Sequence, residues 1–191
     1  MSYSAPREGL IETADGVRRW YHQGRLHRTN GPAIEYPDGT QRWFLYGKLH
    51  RTDGPAVIQS DGVTEWFFHG QPHRTDGPAT IYPSGTKMWY IDGKFHRDDG
   101  PAVIRYYDDG SVYCEEWHLK DLTHREDGPA LIEYNNDGSV GREVWYSHGK
   151  LHRDNGPAVI GYYDDGSVNS KAHYVRGIEI TEDNERTSLY D

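Results

Sequence analysis

The chain is short of the residues that usually build a thick aliphatic core. Only 35% of its 191 residues are hydrophobic, with 2 Met and 4 Phe among them. Its mean hydropathy is −0.92. One cysteine, Cys114, rules out an intramolecular disulfide framework. No window approaches the roughly 18 consecutive apolar residues a membrane-spanning helix needs, and residues 1–7 hold no apolar secretion signal. These absences lead us to expect a protein of a reducing compartment, cytoplasmic in its host or carried in a virion, with no membrane partner. Cationic side chains are outnumbered, 21 against 30 acids, for a net charge of −9. That sign opposes phosphate backbones, so no nucleic-acid partner is expected.

What the chain does have is rings and turns. It holds 15 Tyr, 6 Trp, 22 Gly and 10 Pro. Tyr and Trp bury large areas while keeping a polar handle, which suits thin sheets and argues against disorder. Self-similarity then organises the sequence. The string His-Arg-x-Asp/Asn-Gly-Pro-Ala opens at His27, His50, His73, His96, His124 and His152. Seven residues before each stands Trp20, Trp43, Trp66, Trp89, Trp117 or Trp145. A turn ending in Gly39, Gly62, Gly85, Gly110, Gly138 or Gly166 follows each Ala. The motif spacings are 23, 23, 23, 28 and 28 residues.

Each repeat reads as two strands joined by an Asp-Gly hairpin turn, because Gly accepts positive φ without strain. β-Branched and aromatic residues fill both arms, and no apolar residues keep helical spacing. The expected fold is all-β: an elongated, twisted array of stacked antiparallel β-hairpin repeats, a single-sheet, solenoid-like meander roughly 60–70 Å long. A propeller is excluded, since a blade needs roughly 40 residues. One β-repeat domain is expected over residues 1–180, with 23-residue units to about 98 and 28-residue units over about 99–177. Residues 181–191 read as an acidic tail. From Ala to turn Gly the distance grows from 6 to 8 residues, and from Gly to Trp from 4 to 7. The uneven insertion predicts a bulge or longer turn in each long hairpin. The charged run at residues 182–186 would blunt a sheet edge.

The conspicuous polar residues have structural explanations. The pairs His27-Arg28, His50-Arg51, His73-Arg74, His96-Arg97, His124-Arg125 and His152-Arg153 are read as structural. Both side chains should donate to turn carbonyls and to the Asp or Asn two residues on. Equivalent histidines two strands apart, about 9.6 Å, cannot share a zinc ion. No metal or other cofactor is expected. In Gly-Pro-Ala, Gly should take positive φ, Pro should open a strand, and Ala should allow close packing. Cys114 falls on a strand position shared with no other repeat and reads as a bystander thiol. Since most candidate acids, bases and nucleophiles recur six times, no enzymatic activity is expected.

The stretch Trp-Tyr-x-x-Gly-Lys-Leu-His-Arg-x-Asn-Gly-Pro-Ala at residues 145–158 resembles the MORN-like repeat proteins, especially the variant arrays of tailed bacteriophages and giant viruses. The resemblance spans about residues 8–180. It implies stacked hairpins, a scaffolding or partner-binding role, and a viral accessory or host-interaction protein. The strict His-Arg and Gly-Pro-Ala depart from the ordinary MORN landmarks of Tyr and Gly. From the residues themselves, we expect a scaffold that binds a protein partner through an aromatic and acidic face. The long repeats add Tyr106, Tyr107, Tyr113, Tyr134, Tyr162 and Tyr163 as candidate partner-binding residues. The alternative is a module that stacks a carbohydrate or nucleotide between aromatic rings.

Overall fold

The computed structural model describes residues 8–181. The acidic run at 182–186 and nearly all of the tail lie outside the described residues. No helix occurs among those described. Fourteen strands in chain order form an antiparallel meander that does not close into a barrel. The chain divides into two compact units. The first holds the sheet strands Glu8–Glu12, Arg18–His22, Ile34–Glu35, Gln41–Arg42, Val57–Ile58, Thr64–Glu65, Thr80–Ile81 and Lys87–Met88. The second holds Val103–Tyr106, Val112–Glu116, Leu131–Tyr134, Val140–Val144, Val159–Tyr162 and Val168–Ala172.

The two repeat lengths differ only in the hairpin arms. A short repeat pairs two residues per arm, Ile34 with Arg42 and Glu35 with Gln41. A long repeat pairs four, from Val103 with Glu116 to Tyr106 with Val112. The register slips once, between Arg105 and Tyr106, leaving Tyr113 as the extra residue. Gly141 and Asn169 hold the same place in the next two hairpins. The five inserted residues are therefore two paired positions in each arm plus one bulge, which adds local twist.

The tip is unchanged between the two lengths. In short and long repeats alike, the residue opening the loop accepts a bond from Gly and donates to the residue beyond it. Gly39 N donates to Tyr36 O at 3.0 Å and Tyr36 N to Thr40 O at 2.9 Å; Tyr107, Gly110 and Ser111 repeat the pattern at 3.0 and 2.9 Å. This is a three-residue loop closing on a left-handed Gly, rather than the two-residue turn that Asp-Gly usually forms. The Asp carboxylate completes it, as where Thr40 N donates to Asp38 Oδ1 at 2.8 Å.

Each repeat also folds a second, smaller hairpin, just before the His-Arg loop. Phe44–Leu45 pairs with Lys48–Leu49, and Tyr146–Ser147 with Lys150–Leu151. Their central residues, such as Tyr46-Gly47 and His148-Gly149, both have positive φ, as a type I′ turn requires.

The core is thin, as the composition implies. Six alanines, Ala33, Ala56, Ala79, Ala102, Ala130 and Ala158, have no exposed surface. Ala33, Ala56, Ala79 and Ala130 are backbone crossing points: Ala56 N donates to Glu65 O while Ala56 O accepts from Trp43 N, both at 2.8 Å. A larger side chain there would push these backbones apart. Valines flank the alanines, and Val103 and Val144 are the largest fully buried side chains.

Candidate functional site

Chemistry-bearing side chains gather at the His-Arg loops. Arg51 shows the pattern. Its Nε donates to Asp53 at 2.8 Å, its Nη1 to the Pro55 carbonyl at 3.2 Å, and its guanidinium lies 4.2 Å from the Trp43 ring centre. Arg74 and Arg125 repeat all three contacts with Asp76, Pro78 and Trp66, and with Asp127, Pro129 and Trp117. The Asp two residues on is the partner the sequence predicts. The glycine of Gly-Pro-Ala, however, is needed for a different reason than expected. Only Gly156 has positive φ there. At Gly54, Gly77 and Gly128 an added Cβ would come within 3.0–3.1 Å of the Arg guanidinium carbon, so the cation itself excludes a side chain.

The histidines meet the expectation in part, since His96 and His152 Nε2 face the Asp two residues on at 3.2 and 3.5 Å, but the Nδ1 atoms of the series accept, which was not expected. His27 Nδ1 accepts the Tyr46 N–H at 3.1 Å, His50 that of His69 at 3.1 Å, and His73 that of Asp92 at 3.1 Å. His124 and His152 accept from His148 and Arg176, each at 3.3 Å. The second turn residue adds a parallel bond, as where Gly47 N donates to Leu26 O at 2.7 Å. Each small hairpin is thus clasped to the preceding repeat by two bonds. At the chain start Glu8 Oε1 takes the histidine's role toward Gln23 N at 3.2 Å. Burial, and the neighbouring His22, His69 or His148, hold the pKa values of His27, His50 and His124 below the ordinary range. An accepting Nδ1 needs that neutral form. His96 breaks the series: its Nδ1 is buried without a hydrogen-bond partner among the described residues.

Between successive loops the chain forms open clefts. In the first unit, clefts of about 510 and 480 Å³ have Trp43 and Trp66 in their walls. In the second unit they reach about 710 and 790 Å³, with Trp117 and Trp145. Their charge differs. The cleft between residues 28–31 and 50–53 sets two Arg against one Asp. The cleft between residues 97–101 and 124–127 sets Arg97 and Arg125 against Asp98, Asp99, Glu126 and Asp127.

Of the six tyrosines expected to meet a partner, three use their hydroxyls within the sheet. Tyr134 donates to Glu115 at 2.8 Å, Tyr162 to Glu143 at 2.6 Å, and Tyr107 to the Tyr134 carbonyl at 2.7 Å. Burial and the adjacent carboxylates push Tyr134 and Tyr162 up to about 12. Tyr106 is half-buried, while Tyr113 and Tyr163 are exposed.

Cys114, read from the sequence as a bystander thiol, sits in a charged cluster. Cys114, Glu116 and His118 alternate along one run, and Glu116 holds Arg105 on one side and His118 Nε2 on the other, the latter at 3.1 Å. Cys114 Sγ lies 3.9 Å from Glu116 and 3.8 Å from Arg105. The hydrogen bond from His118, with the bond and charge of Arg105, draws Glu116 down to about 2, whereas burial and Glu116 raise Cys114 to about 11. The thiol is therefore protonated at neutral pH and a poor nucleophile. Its alternate-residue spacing, which puts side chains on one face of a strand, was the available signal. Comparison with known proteins finds no family model that matches the chain and no curated protein that matches it.

Proposed function

We propose that this chain is a non-enzymatic repeat scaffold that holds a protein partner against the clefts between its His-Arg loops. The observation carrying this reading is the recurrence of the cleft: a Trp wall, a fixed Arg and exposed carboxylates, rebuilt on the same backbone in both units. Repeated equivalent sites suit an extended partner that meets several at once, and repeat arrays offer such surfaces. Catalysis asks for one converging constellation. The cluster with that character, at Cys114, has its thiol protonated and its carboxylate engaged by Arg105 and His118. Exposed Tyr113 and Tyr163 add interface-type area to the long hairpins. The MORN-like character of the repeat agrees with scaffolding, and a viral accessory or host-interaction role belongs to the same proposal.

The test is selection of a random-peptide display library on the immobilised full chain, beside glycans and nucleotides titrated against Trp fluorescence. Enriched peptides that bind saturably support the scaffold. Saturable binding of a sugar or nucleotide with no peptide enriched overturns it in favour of a small-ligand module.

A further inference from the structure

The loops vary in charge at one position that the invariant contacts do not use. The residue after His-Arg is Thr29, Thr52 and Thr75 in the first three loops, then Asp98, Glu126 and Asp154. Arg reaches past it, to the next residue, the Pro carbonyl and the Trp ring. Three threonines show that this position needs no acid for the loop to form. Asp98 and Asp154 are 91% and 79% exposed, each facing the histidine of its own loop at 3.2 and 3.5 Å.

In the cleft between residues 97–101 and 124–127 this variation leaves two carboxylates over. Arg97 is tied to Asp99 at 2.8 Å and Arg125 to Asp127 at 3.0 Å, so Asp98 and Glu126 carry the net charge. A second, independent feature lies in the same wall. His118 stands where other repeats have Phe44, Phe67, Tyr90, Tyr146 and Tyr174, and it lines this cleft with its side chain nine-tenths buried. Its Nε2 faces the ionised Glu116 and so carries the proton, which leaves Nδ1 as an acceptor with no partner among the described residues. A buried polar atom without a partner is costly, and a ligand N–H would satisfy it.

We propose that this cleft takes the cationic side chain of a Lys or Arg from an extended basic segment of the partner. This rests on the scaffold reading above. Asp98 and Glu126 receive the charge, and a guanidinium fork suits two carboxylates. Trp117 and the half-exposed Leu119 cover the aliphatic stem. An anionic partner is disfavoured because both arginines are already engaged.

The test uses the full chain and an alternating Arg-Ser peptide, read by titration at low and moderate salt. Asp98→Thr/Glu126→Thr restores the short-repeat residue and so leaves the fold intact, which circular dichroism checks. Asp108→Asn/Asp164→Asn removes equal charge from the hairpin tips. The expected result is peptide binding weakened about tenfold by the cleft pair and little by the tip pair, falling with salt. His118→Tyr should weaken it about threefold. Equal loss in both pairs would reduce the effect to net charge and overturn the proposal. If the basic peptide fails while neutral or acidic display peptides bind, the cationic ligand is wrong and the scaffold stands. If no peptide of any composition binds, both fall.

Discussion

The short and long repeats share the Arg, histidine and backbone contacts that tie one His-Arg loop to the next, yet differ in what their hairpin arms add. Arg74 and Arg125 make the same three contacts at 2.7–3.0, 3.3–3.4 and 4.1–4.2 Å. The histidine clasp recurs in both. The long hairpins alone carry a bulge, a Tyr-to-Glu bond and the charged cluster around Glu116. The insertion falls in the hairpin arms and leaves the His-Arg loops and the tip geometry unchanged, as hairpin ends generally allow. The shared contacts therefore specify the array, and the inserted arms and the loop position after His-Arg are free to diversify.

The largest expected effect would set the long hairpins apart. Glu116→Ala leaves Arg105 and His118 without their carboxylate and should cost about 2–3 kcal/mol in urea unfolding. Acid should separate the regions further. The depressed histidines favour the neutral fold, so their contribution is complete above their ordinary value of 6.5 and is lost as pH falls below it, in both regions. Glu116 contributes above its ordinary 4.5, and that part is lost only as pH falls on toward about 2. Hydrogen exchange followed from neutral to acid pH should show a first weakening everywhere and a second confined to the hairpin that holds Glu116.

Arg74→Ala and Arg125→Ala test sameness instead. Each should cost about 2 kcal/mol, and a clear inequality between them in denaturant midpoints would break the shared-contact account. Smaller still is Tyr134→Phe, which deletes the bond to Glu115 and should cost about 1 kcal/mol by thermal unfolding. The smallest concerns the one small-hairpin turn with two non-glycine residues, Lys120-Asp121, at φ 52° and 73°. Asp121→Gly relieves about 1 kcal/mol of backbone strain but removes the carboxylate that accepts the Phe95 N–H at 2.8 Å. Near-zero change is expected, and a gain of the full strain would show that bond to be silent.

Much of this fold could be read from the sequence because its signals are local and repeated. Trp, His-Arg and Gly at fixed spacing gave the hairpin order, and the uneven insertion pointed to the bulges at Tyr113, Gly141 and Asn169. What escaped depends on contacts between repeats. Nothing local says that His50 accepts from the turn at His69, nor that Gly54 is glycine because Arg51 lies against it. The clefts were invisible for the same reason, since each is built from loops 23 to 28 residues apart. The Glu116–His118 pair is legible as strand alternation but lies outside the repeat pattern, since His118 stands where other repeats carry Phe or Tyr.

The clasps also bear on how such a sheet comes to form. Backbone partners are close along the chain: Arg18 pairs with Glu35, Cys114 with Glu133, and every loop histidine but His96 reaches a turn 19 or 24 residues on. All-β proteins usually fold slowly because distant segments must meet before any pairing is rewarded. Here each added hairpin closes only a short loop against structure already in place, so contact order stays low as the chain lengthens. Folding should therefore run as a zipper that can start at any repeat. A whole repeat inserted between two others should lengthen the array with little change in its folding rate.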